Sequence, residues 1–232
     1  MSDVVPAPAP VRIPVSGSGS ATQQYFPVRR IYCVGRNFAD HAKEMGAPVP
    51  ASKADRGTPV FFCKPADAVV LDGVVPYPPG THDLHHEVEL VVALGADAKV
   101  FGYAIGLDLT RRDLQSAAKA KGLPWDTGKA FDHSAPIGEI VPAALVGDLA
   151  PRTLSLTVNG TERQRSTLDQ LIWDVPEVLA ELSELFELKA GDLVFMGTPA
   201  GVSALQVGDR FEARLDDVLH LAGTIAPPRA TR

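Results

Sequence analysis

Glu87 and Glu89 stand two residues apart in HHEVELVVALG, a β-branched run that reads as a strand. Side chains alternate across a strand, so both carboxylates leave one face while Val88, Leu90 and Val92 leave the other. An isolated E-x-E is usually a solvated strand face with a salt bridge or two. Asp108 changes the balance, because it closes the otherwise apolar VFGYAIGL, where an acid is costly unless it is paired or bound to a metal. Glu87, Glu89 and Asp108 then offer oxygen-only ligation, which suits Mg²⁺ or Mn²⁺ better than zinc and leaves positions for water and a chelating substrate. Of the histidines just upstream, His82 and His85 read as polar turn residues before a strand, and His86 stays open between that and a site.

His41 and Glu44 are three residues apart in a short helical stretch, so they share a face and the carboxylate can orient the imidazole as a general base. The H-x-x-E spacing alone is common on inert helix surfaces. Its position matters more, because the stretch runs directly into a long aperiodic loop that can close over a substrate. Lys129 follows the turn LPWDTG and can face a cleft, although an exposed lysine is the ordinary alternative. Arg111 and Arg112 open a predicted helix, where cations oppose the macrodipole, which favours an ion pair or a substrate carboxylate as their partner. GTPAGV resembles a phosphate loop only superficially, since no Gly-Lys-Ser/Thr follows; it leaves a turn or anion nest with Thr198 as a donor.

The elements that must position these groups are mostly strands. IYCVG (31–35), PVFFCK (59–64), EVELVVAL (87–94), VFGYAIGLDL (100–109), TLSLTVNG (153–160) and DLVFMG (192–197) are β-branched or aromatic and end at Gly or Pro. Three helices are expected: one capped by Asn37 before Gly46, one with a Thr110/Asp113 capping box before Gly122, and one with an Asp174/Glu177 capping box. Residues 45–58 form the candidate lid loop. Residues 1–24, rich in Pro, Ala, Ser and Gly, read as an extended arm in which VRIPV can add an edge strand; residues 25–232 read as a single domain.

Composition excludes several classes. A hydrophobic share of 45% and a charged share of 22% are those of an ordinary globular chain. A net charge of −6 gives no basic field for a phosphate backbone, so no nucleic-acid partner is expected. No apolar run is long enough to span a bilayer and no export signal is visible, so no membrane role is expected and the cytoplasm is the expected compartment. Cys33 and Cys63 are expected to be reduced.

Taken in order, IYCVGRNFADHAKEMG, FFCKPADAVV, HHEVELVVALG, GYAIGLDLTRRDLQ, LPWDTGKAFDHSAPIG and DLVFMGTPAGV resemble the blocks of the fumarylacetoacetate hydrolase family over about residues 28–225. The resemblance implies an α+β, predominantly β fold: a mixed β-sheet roll of the C-terminal-domain type of that family, with few helices, assembled as a homodimer. It implies that Glu87, Glu89 and Asp108 ligate Mg²⁺ or Mn²⁺, that His41 and Glu44 activate water on a lid, and that Lys129 assists catalysis. It matches Arg112, Gln115 and Thr198 to substrate-contacting positions. The implied reaction is cleavage of a carbon–carbon bond in a small diketo acid, an acylpyruvate. The approach PYPPGTHDLHHE is most like the branch that acts on fumarylpyruvate. Relatives that decarboxylate oxaloacetate, or isomerise and decarboxylate other 2-oxo acids, share the same acids, and a silent keto-acid-binding protein would lack a competent base.

Overall fold

The computed structural model describes residues 3–17, 19, 22–44, 46 and 50–229. Its centre is a six-stranded mixed sheet in the order Val141–Pro142, Val100–Leu107, Val88–Leu94, Asp192–Phe195, Arg30–Gly35, Val60–Lys64. All neighbours are antiparallel except Asp192–Phe195 beside Arg30–Gly35. A five-stranded sheet, ordered Thr161–Thr167, Thr153–Val158, Arg210–Leu215, Leu219–Ala226, Val74–Pro76, packs beside it. Each expected strand forms: 31–35 gains Arg30 at its start, and the other five lose one or two residues at an end.

Strand alternation divides the core in two. Val88, Leu90, Val92 and Leu94 face the larger cluster, shared with Leu154, Leu156, Phe211 and Ala213 of the second sheet. Val91, Ala93, Leu193 and Phe195 face a smaller cluster that contains Ile13, Val15 and Phe26. Those last three come from an antiparallel hairpin of Arg12–Val15 and Gln24–Pro27. The N-terminal stretch is therefore more than an arm: the edge strand expected at VRIPV forms and is anchored by Ile13, which is fully buried. Residues 4–10 remain exposed.

Two of the three expected helices depart from expectation in how they begin. Val175–Leu185 carries the Asp174/Glu177 capping box. Asn37, by contrast, caps nothing. Its amide donates to Trp173 O and Met196 O and accepts from the Trp173 N–H, tying three segments together, and the helix starts at Ala39. Thr110 and Asp113 form no capping box either, because Thr110 lies in a two-residue strand beside Leu84–His85 and Asp113 binds Thr81 Oγ1 and the His82 N–H. The helix Arg112–Ala120 consequently has no side-chain cap.

Of the candidate lid loop, Met45 and residues 47–49 lie outside the described residues. The rest contains a 3₁₀ turn, Lys53–Asp55. Cys33 and Cys63 are both free, the first buried and the second exposed. Among the described residues no helix is long and apolar enough to cross a membrane.

Candidate metal centre and its cavity

The antiparallel register sets Glu89 opposite Gly106 and Val88 opposite Leu107, and the Asp108 N–H donates to Glu87 O at 2.8 Å, which continues the ladder by one step. Residues directly opposite share a face, so Asp108 projects beside Glu87 and Glu89. One ligand oxygen from each of the three comes within 4.8 Å of the others, and all three side chains are buried. This is the face that carries Val91 and Phe195 further along. The acids occupy its end, and no residue of the N-terminal hairpin lines the cavity around them.

Three buried cations meet them. Lys129 Nζ donates to Glu87 Oε2 at 2.7 Å, Asp108 Oδ2 at 2.5 Å and Thr110 Oγ1 at 2.7 Å, so all of its ammonium protons are engaged. Arg112 donates to Glu87 Oε1 through Nη2 and to Gln115 Oε1 at 2.6 Å through Nη1. Lys64 Nζ lies 2.8 Å from Asp108 Oδ1 and donates to the carbonyls of Leu109 and Lys129. Lys64 meets Asp108 Oδ1 as an ion pair without hydrogen-bond alignment, and among the described residues that buried oxygen has no hydrogen-bond donor.

The acids respond unequally. Burial pushes the Glu87 carboxyl up, but Lys129 and Arg112 outweigh it and hold the group well below the usual carboxylate range. Glu89 has no cation within ion-pair distance among the described residues; only the Gly197 N–H reaches its Oε2, at 2.7 Å. Burial, then Asp108 and Glu87, raise its carboxyl well above the ordinary range. Burial lowers the Lys129 ammonium, and Asp108 and Glu87 overcome that to raise it. A hard divalent cation fits this donor set: three oxygen donors lie together, and the ion would supply the charge that Glu89 lacks.

His41 lines the same cavity with Arg112, Gln115, Lys129 and Thr198. Its Nδ1 is 3.1 Å from Glu44 Oε2, and the Gly201 N–H donates to Glu44 Oε1 at 3.1 Å. With Nδ1–H directed at a carboxylate, Nε2 is the nitrogen able to take a proton. Gly197 and Gly201 both have positive φ, 92° and 98°, and a Cβ at Gly197 would stand 2.7 Å from that of Asn37. The loop thus brings one backbone N–H to a metal-site acid and another to the dyad because it is free of side chains at those two points.

Sequence reasoning missed the network behind this loop. Gln164 Oε1 accepts from the Val88 N–H at 3.1 Å, and its Nε2 donates to Pro199 O at 2.8 Å and Thr198 Oγ1 at 2.7 Å. Those backbone groups allow one amide orientation only, so His86 Nδ1, 2.9 Å from Oε1, carries the proton and Nε2 accepts from Ser203 Oγ at 2.8 Å. Burial lowers the His86 pKa to about 4, which keeps it neutral. His86 is therefore a locked structural residue. His85 bonds Asp83 and receives Arg112 Nε, and Lys64 had passed unnoticed at the end of an apolar strand.

A larger cleft of about 460 Å³ opens at Leu71, Glu139 and His220, but it shares no lining residue with the carboxylate cavity.

Residues 30–226 match the family described as Fumarylacetoacetate (FAA) hydrolase C-terminal. The chain is 42% identical to oxaloacetate tautomerase YcgM of Escherichia coli over 82% of this chain and 90% of that one. It is 40% identical to fumarylpyruvate hydrolase of Ralstonia, covering 79% of this chain and 99% of the relative. Among solved structures, the fumarylpyruvate hydrolase of Pseudomonas aeruginosa in complex with Mn²⁺ and pyruvate superimposes with a TM-score of 0.88 at 45% identity, over 97% of this chain and 100% of that chain.

Proposed function

We propose, on the premise that this chain belongs to the fumarylacetoacetate hydrolase family, that it hydrolyses the carbon–carbon bond of an acylpyruvate, fumarylpyruvate first among them. The observation that carries the reading is the coincidence, in one cavity, of three buried carboxylates with a His41–Glu44 dyad whose Nε2 is free to accept a proton. Glu87, Glu89 and Asp108 would hold Mg²⁺ or Mn²⁺, which when bound supplies a Lewis acid for the oxygens of a 2-oxo acid.

The chain's own residues supply the rest. His41 Nε2 takes a proton from water as the oxygen adds to the distal acyl carbonyl, and Glu44 stabilises the imidazolium that forms. The carbon–carbon bond then breaks, its electron pair leaving with the pyruvate fragment, which is protonated at carbon while the acyl fragment departs as the acid. Lys129 holds Glu87 and Asp108 in place, and Thr198, whose oxygen accepts from Gln164, keeps its hydroxyl proton for a substrate oxygen. We take the assembly to be a homodimer, which light scattering of the purified protein checks.

A second reading has its own support: the oxaloacetate tautomerase relative is as similar as the hydrolase relative. Oxaloacetate chemistry needs the 2-oxo acid site but no attacking water. Steady-state kinetics with Mn²⁺ separate the two. Hydrolysis predicts a higher kcat/KM for fumarylpyruvate than for oxaloacetate and a loss of about 10²–10⁴-fold in kcat for His41→Ala with metal content unchanged. More efficient turnover of oxaloacetate, insensitive to His41→Ala, would hand the function to the second reading.

A further inference from the structure

The carboxylate cavity contains more positive charge than its acids use. Lys64, Lys129 and Arg112 are each taken up by Glu87 or Asp108. Arg36 and Lys119 line the same cavity, and among the described residues neither has a carboxylate partner. Lys119 stands over the Trp125 ring, 4.8 Å from its centroid. Trp125 meets Phe62 at 6.0 Å between centroids, and Phe62 lies 5.1 Å from Lys129 Nζ. Rings and cations therefore alternate along one wall, from the acid cluster outward to Lys119.

Two features mark the outer cations as more than solvated surface charge. Arg36 has φ 59°, a left-handed conformation that favours Gly or Asn, at the turn between Arg30–Gly35 and the helix bearing His41. Lys119 is drawn down to about 8 by burial first and then by Arg112 and Arg36, which describes a charge short of a counter-charge.

We propose that Arg36 and Lys119 form a second anion subsite, which takes the distal carboxylate of a substrate whose 2-oxo acid end lies at Glu87, Glu89 and Asp108. Trp125 and Phe62 flank the planar, unsaturated chain between the two ends. This rests on the acylpyruvate reading and narrows it to acyl groups that themselves end in a carboxylate. Fumarylpyruvate has that form and acetylpyruvate does not. Oxaloacetate carries its second carboxylate one methylene from the keto carbon and does not extend along the wall.

The test is the kinetics of fumarylpyruvate, acetylpyruvate and oxaloacetate on the Mn²⁺-loaded parent, Lys119→Met, Arg36→Gln and Lys119→Arg, with circular dichroism to confirm folding. Lys119→Met keeps the stem that covers Trp125 while removing the charge. Its KM for fumarylpyruvate should rise about 10- to 100-fold, the scale of a hydrogen bond to a charged group, with kcat largely kept. The preference for fumarylpyruvate over acetylpyruvate should fall by the same factor, and Lys119→Arg should restore most of it. Arg36→Gln, at an exposed position, gives an independent arm with the same expectation. An unchanged preference in both charge-removing variants, or equal losses on all three substrates, would overturn the subsite while leaving the hydrolase reading intact. A parent that turns over oxaloacetate and neither acylpyruvate would bring down both.

Discussion

Lys129, Arg112 and Lys64 meet Glu87 and Asp108 with side chains no more than 9% exposed, whereas Lys53 and Arg56 meet Glu177 across a surface where Lys53 is 73% exposed. Both regions are built from lysine, arginine and carboxylates at similar distances. In the first, each charge has lost its water and depends on its partners, so removing one member strands the others. In the second, water replaces whichever partner is lost. The first holds the cavity in shape; the second pins the described end of the loop after His41 to the helix Val175–Leu185, helped by Arg56 stacked 3.9 Å from the Trp173 ring centroid.

The sharpest way to break this contrast is Lys129→Met. It leaves Glu87 and Asp108 buried without their shared donor, and the expected cost is about 3–5 kcal/mol, read from urea unfolding in the presence of a chelator. Excess Mn²⁺ should recover part of that loss, because a divalent cation can take over the two carboxylates. A change under about 1 kcal/mol would mean the cluster is far better hydrated than its burial indicates.

A smaller effect is expected where the buried network is neutral. Gln164→Leu leaves the His86 and Val88 N–H groups without an acceptor and frees Thr198, at an expected cost of about 2–4 kcal/mol. Because Thr198 faces the cavity, kcat/KM should fall by about tenfold as well, whereas His86→Gln, which can still bond Gln164 and Ser203, should spare it. Equal kinetic losses in both variants would make His86 part of the chemistry and remove its purely structural assignment.

These regions were not equally legible from the chain. Alternation in a β-branched strand names Glu87 and Glu89 as same-face acids, and a carboxylate closing an apolar strand marks Asp108, because both are local patterns. The Asp174/Glu177 capping box is local too. Gln164 was invisible for the opposite reason: TERQRST has no apolar alternation to mark it, and its strand is defined by pairing with Thr153–Val158. Asn37 and Asp113 looked like caps because the residue types that cap helices also bridge distant segments. Asn37 bonds residues 136 and 159 positions away, which no spacing rule anticipates. Arg210–Leu215 and Leu219–Ala226 went unread as strands, although both alternate once their hairpin register is known.

The smallest effect belongs to the surface clamp, and its pH dependence gives the sign. The Glu177 carboxyl is lowered from 4.5 to about 2, first by its hydrogen bond with Arg56 and then with help from the Asp174 N–H and Lys53. A group whose folded value is depressed adds stability that is fully present above its unfolded value and is lost as pH falls through the folded one. The clamp should therefore hold at neutral pH and loosen between about 4.5 and about 2. Its exposure limits what it contributes, so global unfolding should barely register Glu177→Gln. Local opening is the sensitive readout: proteolysis near residues 50–58 at neutral pH should speed up by about fivefold or less in Glu177→Gln, the scale of one surface ion-pair network. Glu177→Gln also weakens the capping box, so Arg56→Gln serves as the control, since it breaks the clamp and leaves the Asp174 side of the cap intact. Matching acceleration in both variants assigns the effect to the clamp. Acceleration in Glu177→Gln alone would transfer it to the helix cap, and the two charged regions would then differ in kind as well as in burial.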